Sequence, residues 1–400
     1  MMSMKLSQRA QKLEPSVTLA AAAKAKALKA QGVDVLSLTV GEPDFTTPEN
    51  IETAAIAAIT SGQASFYTQS AGIPELRQAV VDYMKNYYGL EYTVDETIVT
   101  DGAKYALYNL FQAILDKGDE VIIPVPYWVS YGEQVKLAEG TPVYVEGSFA
   151  NDFKVTVDQL EQARTDKTVA IIINSPSNPT GMIYTKEELT AIGNWAVEKD
   201  ILIVADDIYG RLVYDNNEFT PIATLSDAIA KQTIIINGVS KTYSMTGWRI
   251  GFAVGNAKII KAMTTIASQS TSNPTAASQY AALEALTGDQ SSVEKMRVAF
   301  EERLNKLYPL IAAIPGVEVK KPQGAFYLFP NVKKTMAMCG YDDVNVFVED
   351  LLEEGHVALV TGAGFGAPEN VRISYAASWE ILEEAARRMH KFVENKRNKD

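Results

Sequence analysis

Short apolar runs alternate with helical stretches through the middle of the chain. Five runs rich in β-branched residues have the composition of buried strands and occupy 120–125, 169–174, 201–205, 233–237 and 251–254. Between them, residues 104–115 and 186–199 repeat their apolar positions with the 3.6-residue period of an amphipathic helix. This alternation predicts an α/β fold with a mainly parallel sheet flanked by helices.

The two ends of the chain lack this rhythm. An Ala-rich stretch at 19–30 contains three lysines, so we expect a helix there and no bilayer span. Later patterns predict a long helix at 292–313 and meander-like strands at 317–320, 326–329 and 371–375.

The pattern therefore predicts two domains. Residues 46–285 would form a large domain around the parallel sheet, and residues 1–45 and 286–400 would together form a smaller α+β domain.

Composition narrows the class of protein. A net charge of -12 argues against a nucleic-acid surface. The single cysteine, Cys339, forms no intrachain disulfide and indicates a reducing compartment, while His356 and His390 are too few for a zinc site. Residues 1–10 have no long apolar core, so we expect no signal peptide. These features predict a soluble, cytoplasmic protein with no metal, membrane or nucleic-acid partner.

The most informative segment follows the run at 233–237 and reads GVSKTYSMTGWRIG over residues 238–251. Its turn presents Lys241 among small side chains. A confined lysine loses hydration, so its pKa falls and its free amine becomes a nucleophile. Arg249 offers a planar fork of donors for a phosphate. Together these residues suggest pyridoxal 5'-phosphate held as a Schiff base on Lys241.

Polar residues also follow other predicted strands. Asn178 lies beyond the run at 169–174, and Asp206 directly follows the run at 201–205. Ligands of open α/β sheets bind at the carboxyl ends of the strands, where these side chains and Lys241 would meet. A buried carboxylate there would keep a proton on the cofactor's ring nitrogen, which helps the ring to accept electrons.

The 238–251 segment resembles the lysine signature of class I pyridoxal-phosphate-dependent aminotransferases. The resemblance covers essentially the whole chain and is closest to the bacterial aspartate aminotransferase subgroup. It is carried further by GEPDFTTPENI, AGIPELR, PYWVSY and NSPSNPTG, which begin at residues 41, 71, 126 and 174. It implies a fold-type I transferase with the two domains described above.

The resemblance also implies roles around the cofactor ring. Asp206 would hold the ring nitrogen, although the adjacent Asp207 leaves open which carboxylate faces the ring. Tyr209 and Asn178 would donate to the ring oxygen, with Asn178-Pro179 joined by a cis bond or serving only as a turn. Trp128 would stack on the ring face and, with Asn178, contact the substrate.

The phosphate would be bound by a second group of residues. Gly102, Ala103 and Lys104 open a predicted helix, whose free amides bind anions. The resemblance adds Ser240 and Arg249 from the lysine segment. It also implies that Tyr67 reaches the phosphate of the neighbouring subunit, so the active protein would be a homodimer with shared sites.

The substrate residues are implied in the same way. Arg372 would grip the α-carboxylate, and Gly41 would add a backbone amide to the same group. Lys104 would pair with the distal carboxylate of a dicarboxylic amino acid. Some subgroup members that accept prephenate have a lysine where this chain has Glu14, so we do not expect prephenate activity.

We therefore predict an aspartate aminotransferase that passes the amino group of L-aspartate to 2-oxoglutarate, giving oxaloacetate and L-glutamate. Lys241 would act as the proton carrier, assisted by Asp206 and Tyr209. The alternatives are an aminotransferase for aromatic or neutral amino acids and a pyridoxal-phosphate β-lyase. A cofactor-binding regulator is a further alternative, but the 45 residues before the large domain leave little room for a DNA-binding extension.

Overall fold

The computed structural model describes residues 5–398, so Met1–Met4, on which the signal-peptide prediction partly rests, lie outside the described residues. The strands are β1 (Leu36–Ser37), β2 (Thr97–Thr100), β3 (Glu120–Val125), β4 (Thr141–Glu146), β5 (Thr168–Asn174), β6 (Leu202–Asp206), β7 (Thr233–Gly238), β8 (Gly251–Val254), β9 (Tyr327–Leu328), β10 (Val357–Ala358), β11 (Val360–Thr361) and β12 (Val371–Ser374).

The α-helices are α1 (Gln8–Gln11), α2 (Val17–Ala30), α3 (Glu49–Thr60), α4 (Pro74–Tyr83), α5 (Ala103–Ile114), α6 (Ser130–Leu137), α7 (Val157–Ala163), α8 (Lys186–Glu198), α9 (Asp227–Lys231), α10 (Ala257–Ser270), α11 (Ala276–Thr287), α12 (Ser291–Ala312), α13 (Lys333–Met338), α14 (Val344–Gly355) and α15 (Trp379–Arg397).

Seven strands form one sheet in the order β2-β8-β7-β6-β5-β3-β4. The pairs β4-β3, β3-β5, β5-β6 and β6-β7 are parallel, whereas β8 runs antiparallel to both of its neighbours. The predicted α/β fold with a mainly parallel sheet is confirmed.

Both faces of this sheet are buried under helices. Successive side chains of a strand point to opposite faces. In β5, Ala170 and Ile172 belong to the apolar cluster that contains residues of α5 and α10, while Ile171 and Ile173 belong to the cluster that contains residues of α8. A strand buried on both sides needs a continuous apolar run, which explains why the five runs were recognisable.

The remaining strands form smaller sheets near the chain ends. Strands β11, β12 and β9 pair antiparallel, and β1 pairs parallel with β10. Helices α12, α14 and α15 cover a core that also includes Leu38 from the N-terminal part. The segment after β6 adds Ile208, Tyr209, Leu212 and Tyr214 to this core. The division of the chain at residues 46 and 285 stays a prediction.

One predicted strand is wrong, and five strands were not predicted: β1, β2, β4, β10 and β11. Residues 317–320 form no strand, only an isolated bridge between Glu318 and Asn331. Pro322 and Pro330 flank this bridge and lack the N–H groups that would extend a ladder. Strand β4 was missed because it lies at the sheet edge, half-exposed, with Pro142 inside it.

The sheet topology fixes where polar side chains meet. Strands β5, β6 and β7 are adjacent and parallel, and Asn174 at the end of β5 lies opposite Asp206 at the end of β6. The next strand, β7, ends at Gly238, three residues before Lys241. The carboxyl ends of these three strands therefore form the floor of one site.

Candidate active site

A cavity of about 340 Å³ opens at the carboxyl ends of these strands. It is lined by eleven of the thirteen residues predicted from the sequence: Gly41, Ala103, Lys104, Trp128, Asn178, Asp206, Tyr209, Ser240, Lys241, Arg249 and Arg372. These residues span more than 300 positions of the chain, so the fold gathers them from distant segments.

Lys241 lies in the cavity with its amine close to the N-terminal part of the chain. Its Nζ donates a hydrogen bond to the Gly41 carbonyl at 2.5 Å. Burial lowers the pKa of Lys241 to about 8, and the nearby guanidinium groups of Arg372 and Arg249 act in the same direction while Glu42 opposes them. A substantial fraction of this amine is therefore neutral near pH 7 to 8, as a nucleophile and proton acceptor requires.

Two adjacent aspartates, Asp206 and Asp207, lie where the central strand β6 ends, and their carboxylates have different surroundings. Asp206 lines the cavity, whereas the Asp207 carboxylate accepts a hydrogen bond from the Tyr88 hydroxyl at 3.1 Å. Burial raises the pKa of Asp206 to about 6, while a hydrogen bond from Tyr131 lowers it. Asp206 is thus the carboxylate available to a ligand in the cavity.

Tyr209 is buried beside Asp206 and forms a hydrogen bond between hydroxyls with Tyr327, at 2.7 Å. Burial raises the pKa of Tyr209 well above its ordinary value, so the phenol keeps its proton. Tyr209 can therefore act as a hydrogen-bond donor in the cavity.

Arg372 is the most deeply buried cation of the site, with 1% of its surface exposed. Its Nη1 donates to Asn178 Oδ1 at 3.0 Å and its Nη2 to the Thr39 carbonyl at 2.7 Å. Its Nε has no partner among the described residues, and the guanidinium lies over the Tyr327 ring at 4.5 Å. A buried charge that is only partly satisfied favours binding of an anion such as a carboxylate.

Asn178 is held in place by its hydrogen bond with Arg372. Because its Oδ1 accepts from Arg372 and its backbone N–H donates to Asn174 Oδ1 at 2.8 Å, its side-chain amide can donate into the cavity. The bond between Asn178 and Pro179 is cis.

A second group of donors lies at the start of α5. Arg249 Nη1 donates to the Thr246 carbonyl at 2.8 Å, and Ser240 and Ala103 line the same part of the cavity. Gly102 does not line the cavity, but a Cβ there would lie 2.4 Å from Arg249 Nη2. Glycine thus lets the guanidinium approach the helix start, where free amides favour an anion.

Lys104 projects from the first turn of α5 over Trp128, with its Nζ 4.9 Å from the ring centroid. Burial lowers the pKa of Lys104, and the positive charge of Arg249 lowers it further. The Lys104 backbone carbonyl accepts a hydrogen bond from Gln134 at 2.8 Å, which fixes the turn that carries the side chain. Lys104 is therefore a cation directed at the aromatic wall of the cavity.

Tyr67 does not reach the cavity of its own chain. It is 91% exposed, next to Phe66 at 76%, and Ile56 and Ile59 of α3 are each 59% exposed. Large exposed apolar side chains that lie close together in the chain in this way are typical of protein interfaces.

Several cavity residues were missed from the sequence: Ser16, Thr18, Leu19, Val129, Tyr131, Asn174, Ile208, Thr246 and Tyr327. Tyr131 stands in the motif PYWVSY, of which only Trp128 was assigned a role. Its hydroxyl donates to Asp206 Oδ2 at 2.6 Å. Asn174 is the first residue of the motif NSPSNPTG, and its place at the end of a predicted strand was the signal that could have found it.

Within residues 5–398, no group of three or more His, Cys, Asp or Glu side chains could hold a metal ion. Over the same residues, no helix is both long and apolar enough to cross a membrane.

The fold and the cavity together define an amino-group-transfer site, and comparison with known proteins supports that class. Residues 33–389 match the family described as aminotransferase class I and II. The chain belongs to this family and is an aminotransferase. The membership predicted from the sequence is confirmed.

The similarity to individual relatives extends over nearly the whole chain. The asparagine–oxo-acid transaminase of Streptococcus mutans is 60% identical over 390 residues, which cover 98% of this chain and 99% of that protein. The aspartate aminotransferase of a Bacillus species, strain YM-2, is 57% identical, covering 97% and 99%. The structure of the Thermus thermophilus aspartate aminotransferase with maleate matches with a TM-score of 0.92 at 43% identity, covering 97% and 100%.

Proposed function

We propose that this protein binds pyridoxal 5'-phosphate and transfers the amino group of L-aspartate to 2-oxoglutarate, giving oxaloacetate and L-glutamate. The observation that carries the proposal is one cavity that holds an amine of lowered pKa, a buried carboxylate and a buried, incompletely paired guanidinium: Lys241, Asp206 and Arg372. The names of the Bacillus and Thermus relatives support aspartate as the donor.

The residues present fit this cofactor. The start of α5 at Ala103, with Ser240 and Arg249, supplies donors for the phosphate, and the missing Cβ of Gly102 leaves room for Arg249. Asp206 would hold the ring nitrogen. When bound, the cofactor supplies an electron sink for the electrons left at the substrate α-carbon.

The ring itself would contact the remaining predicted residues. Tyr209 and Asn178 each have a donor that can face the cavity and would bind the ring oxygen. Trp128 would cover one face of the ring, and its indole would exclude water from it.

The chain's own groups then divide the work of the reaction. Arg372 binds the α-carboxylate and orients the α-carbon, with the backbone at Gly41 alongside. Lys241 Nζ would accept the proton from the substrate α-carbon and carry it during the transfer, so it needs the neutral form that its pKa of about 8 provides. The 2-oxo acid follows the same path in reverse.

Lys104 distinguishes the candidate donors. It is a partly buried cation without an ion-paired carboxylate among residues 5–398, and it suits the distal carboxylate of aspartate. The Streptococcus relative named for asparagine makes asparagine the second candidate donor. An amide carries no charge, so asparagine would gain far less from Lys104 than aspartate.

The exposed apolar residues around Tyr67 support a homodimer in which each subunit contributes Tyr67 to the partner's phosphate site. The single cysteine, Cys339, which is free, supports a reducing compartment, and we place the protein in the cytoplasm.

The test is a single-turnover experiment on the purified, cofactor-loaded protein with aspartate, asparagine, alanine and phenylalanine. Conversion of the bound cofactor to its amino form is followed by absorbance, and the 2-oxo acid product is quantified. We expect aspartate to react at least ten times faster than the others at equal concentration. Faster reaction with asparagine would favour the second candidate, and release of ammonia in place of amino transfer would favour a lyase.

A further inference from the structure

Each of the two buried aspartates at the end of β6 accepts a hydrogen bond from its own tyrosine, one buried and one half-buried. The Tyr131 hydroxyl donates to Asp206 Oδ2 at 2.6 Å, and the Tyr88 hydroxyl donates to Asp207 Oδ2 at 3.1 Å. Only the first of these pairs lines the cavity. Both pairs therefore consist of a tyrosine hydroxyl that donates to an aspartate, but only the pair of Tyr131 and Asp206 faces the cavity.

Tyr131 is held in place by the segment that also carries Trp128. Its backbone N–H donates to the Trp128 carbonyl at 3.0 Å, and the two rings pack edge to face with centroids 5.4 Å apart. Tyr131 is 2% exposed. One turn at the start of α6 thus places the aromatic wall of the cavity and the donor to Asp206.

The shortest hydrogen bond that the Asp206 carboxylate receives comes from the Tyr131 hydroxyl. The other protein donor is the Ile208 backbone N–H, at 3.3 Å from Oδ1. Burial raises the pKa of Asp206, and the bond from Tyr131 is the largest opposing influence. Burial and the charge of Asp206 raise the pKa of Tyr131, so the proton stays on the phenol.

Other charged or titratable groups also face Asp206. Lys241 favours the ionised Asp206 carboxylate, and the charge of Asp206 adds to burial in raising the pKa values of Asp207 and Tyr209. None of these three donates a hydrogen bond to the Asp206 carboxylate, whose protein donors are Tyr131 and the Ile208 amide. Loss of the Tyr131 hydroxyl would leave the carboxylate with one long bond.

We propose that Tyr131 is a positioning residue that keeps the Asp206 carboxylate ionised and directed into the cavity, where it can hold a protonated ring nitrogen. This inference rests on the proposed cofactor. It assigns to Tyr131 a role in cofactor binding that is absent from Tyr88, although both tyrosines donate hydrogen bonds to adjacent buried aspartates.

The test measures the affinity of the cofactor-free protein for pyridoxamine 5'-phosphate, by calorimetry from pH 5 to 9. This probe carries an amine and forms no covalent bond with Lys241. We expect Tyr131→Phe to move the Asp206-dependent midpoint of the affinity upward by about one to two pH units, as loss of a hydrogen bond to a charged acceptor predicts. The matched control Tyr88→Phe is expected to leave the midpoint unchanged.

The same substitution in an Asp206→Asn protein distinguishes an effect exerted through the Asp206 carboxylate from a general disturbance of the cofactor site. In Asp206→Asn the carboxylate is gone, so adding Tyr131→Phe is expected to change the affinity by less than twofold. An equal midpoint for Tyr131→Phe and wild type, or an equal loss of affinity in both backgrounds, would overturn the inference. Failure of the wild-type protein to bind the probe would overturn the cofactor assignment itself.

Discussion

The replacement Lys104→Gln tests the substrate assignment most sharply. The side chain lies in the first turn of α5 over Trp128, and its pKa is lowered by burial and by Arg249. Glutamine keeps a polar side chain of similar length and removes the charge. Aspartate should therefore lose the ion-pair partner of its distal carboxylate. Alanine and asparagine have no second carboxylate, so the replacement should affect them little.

The size of the effect follows from the surroundings. Two unit charges about 4 Å apart attract by roughly 4 kcal/mol at an effective dielectric constant near 20. Part of this is offset because Lys104 is already desolvated, and Arg249 keeps a positive charge nearby. We expect a net loss of about 1.4–2.8 kcal/mol, which is a 10- to 100-fold decrease in kcat/KM for aspartate.

The assay compares kcat/KM for aspartate, asparagine and alanine with 2-oxoglutarate in excess. The matched control is Lys136→Gln, since Lys136 forms an ion pair with Glu133 at 2.7 Å and does not line the active-site cavity. We expect less than a twofold change for that control. Equal losses for all three donors in Lys104→Gln would show that Lys104 serves the phosphate or the fold, and would refute the reasoning.

Three further predictions concern the dimer and the titrating groups. Mixing Lys241→Ala and Tyr67→Ala subunits should restore about a quarter of the wild-type sites through hybrid dimers, and no recovery in proven hybrids would contradict a shared site. Burial raises the pKa of Asp206 from 3.8 to about 6, so stability is lost as pH rises through this range. Asp206→Asn should thus stabilise the cofactor-free protein in urea by about 2–3 kcal/mol more at pH 7.5 than at pH 4, and a constant difference would disprove this. The rate at which Lys241 captures pyridoxal 5'-phosphate should rise with a midpoint near pH 8, and a midpoint above about 10 would show an ordinary lysine.

The sheet and the principal site residues were predictable because their signals are local. Strands buried on both faces need continuous apolar runs, and the ends of such strands mark the ligand site. Asp206 directly follows one such run and Lys241 lies shortly after another, so position along the chain was enough to place them together. The family resemblance added residues with weak local signals, such as Arg372.

What the sequence left undetermined depends on side-chain direction and long-range pairing. Whether Asp206 or Asp207 faces the cavity depends on the direction of each side chain where β6 ends, and two adjacent aspartates give no local clue. Tyr131 and Tyr327 act through partners 75 and 118 residues away. A tyrosine in an apolar motif is equally consistent with plain core packing, so the structure was needed to assign its hydroxyl.

The central claim is that the Lys241 amine moves the proton during amino transfer. The most direct measurement is the single-turnover rate of amino transfer from aspartate in Lys241→Ala loaded with pyridoxal 5'-phosphate, beside the wild-type protein. Positioned acid–base groups contribute about 10²–10⁴-fold, so we expect the rate to fall by at least a hundredfold while noncovalent cofactor binding persists. Retention of more than about a hundredth of the wild-type rate by the loaded variant would contradict the account.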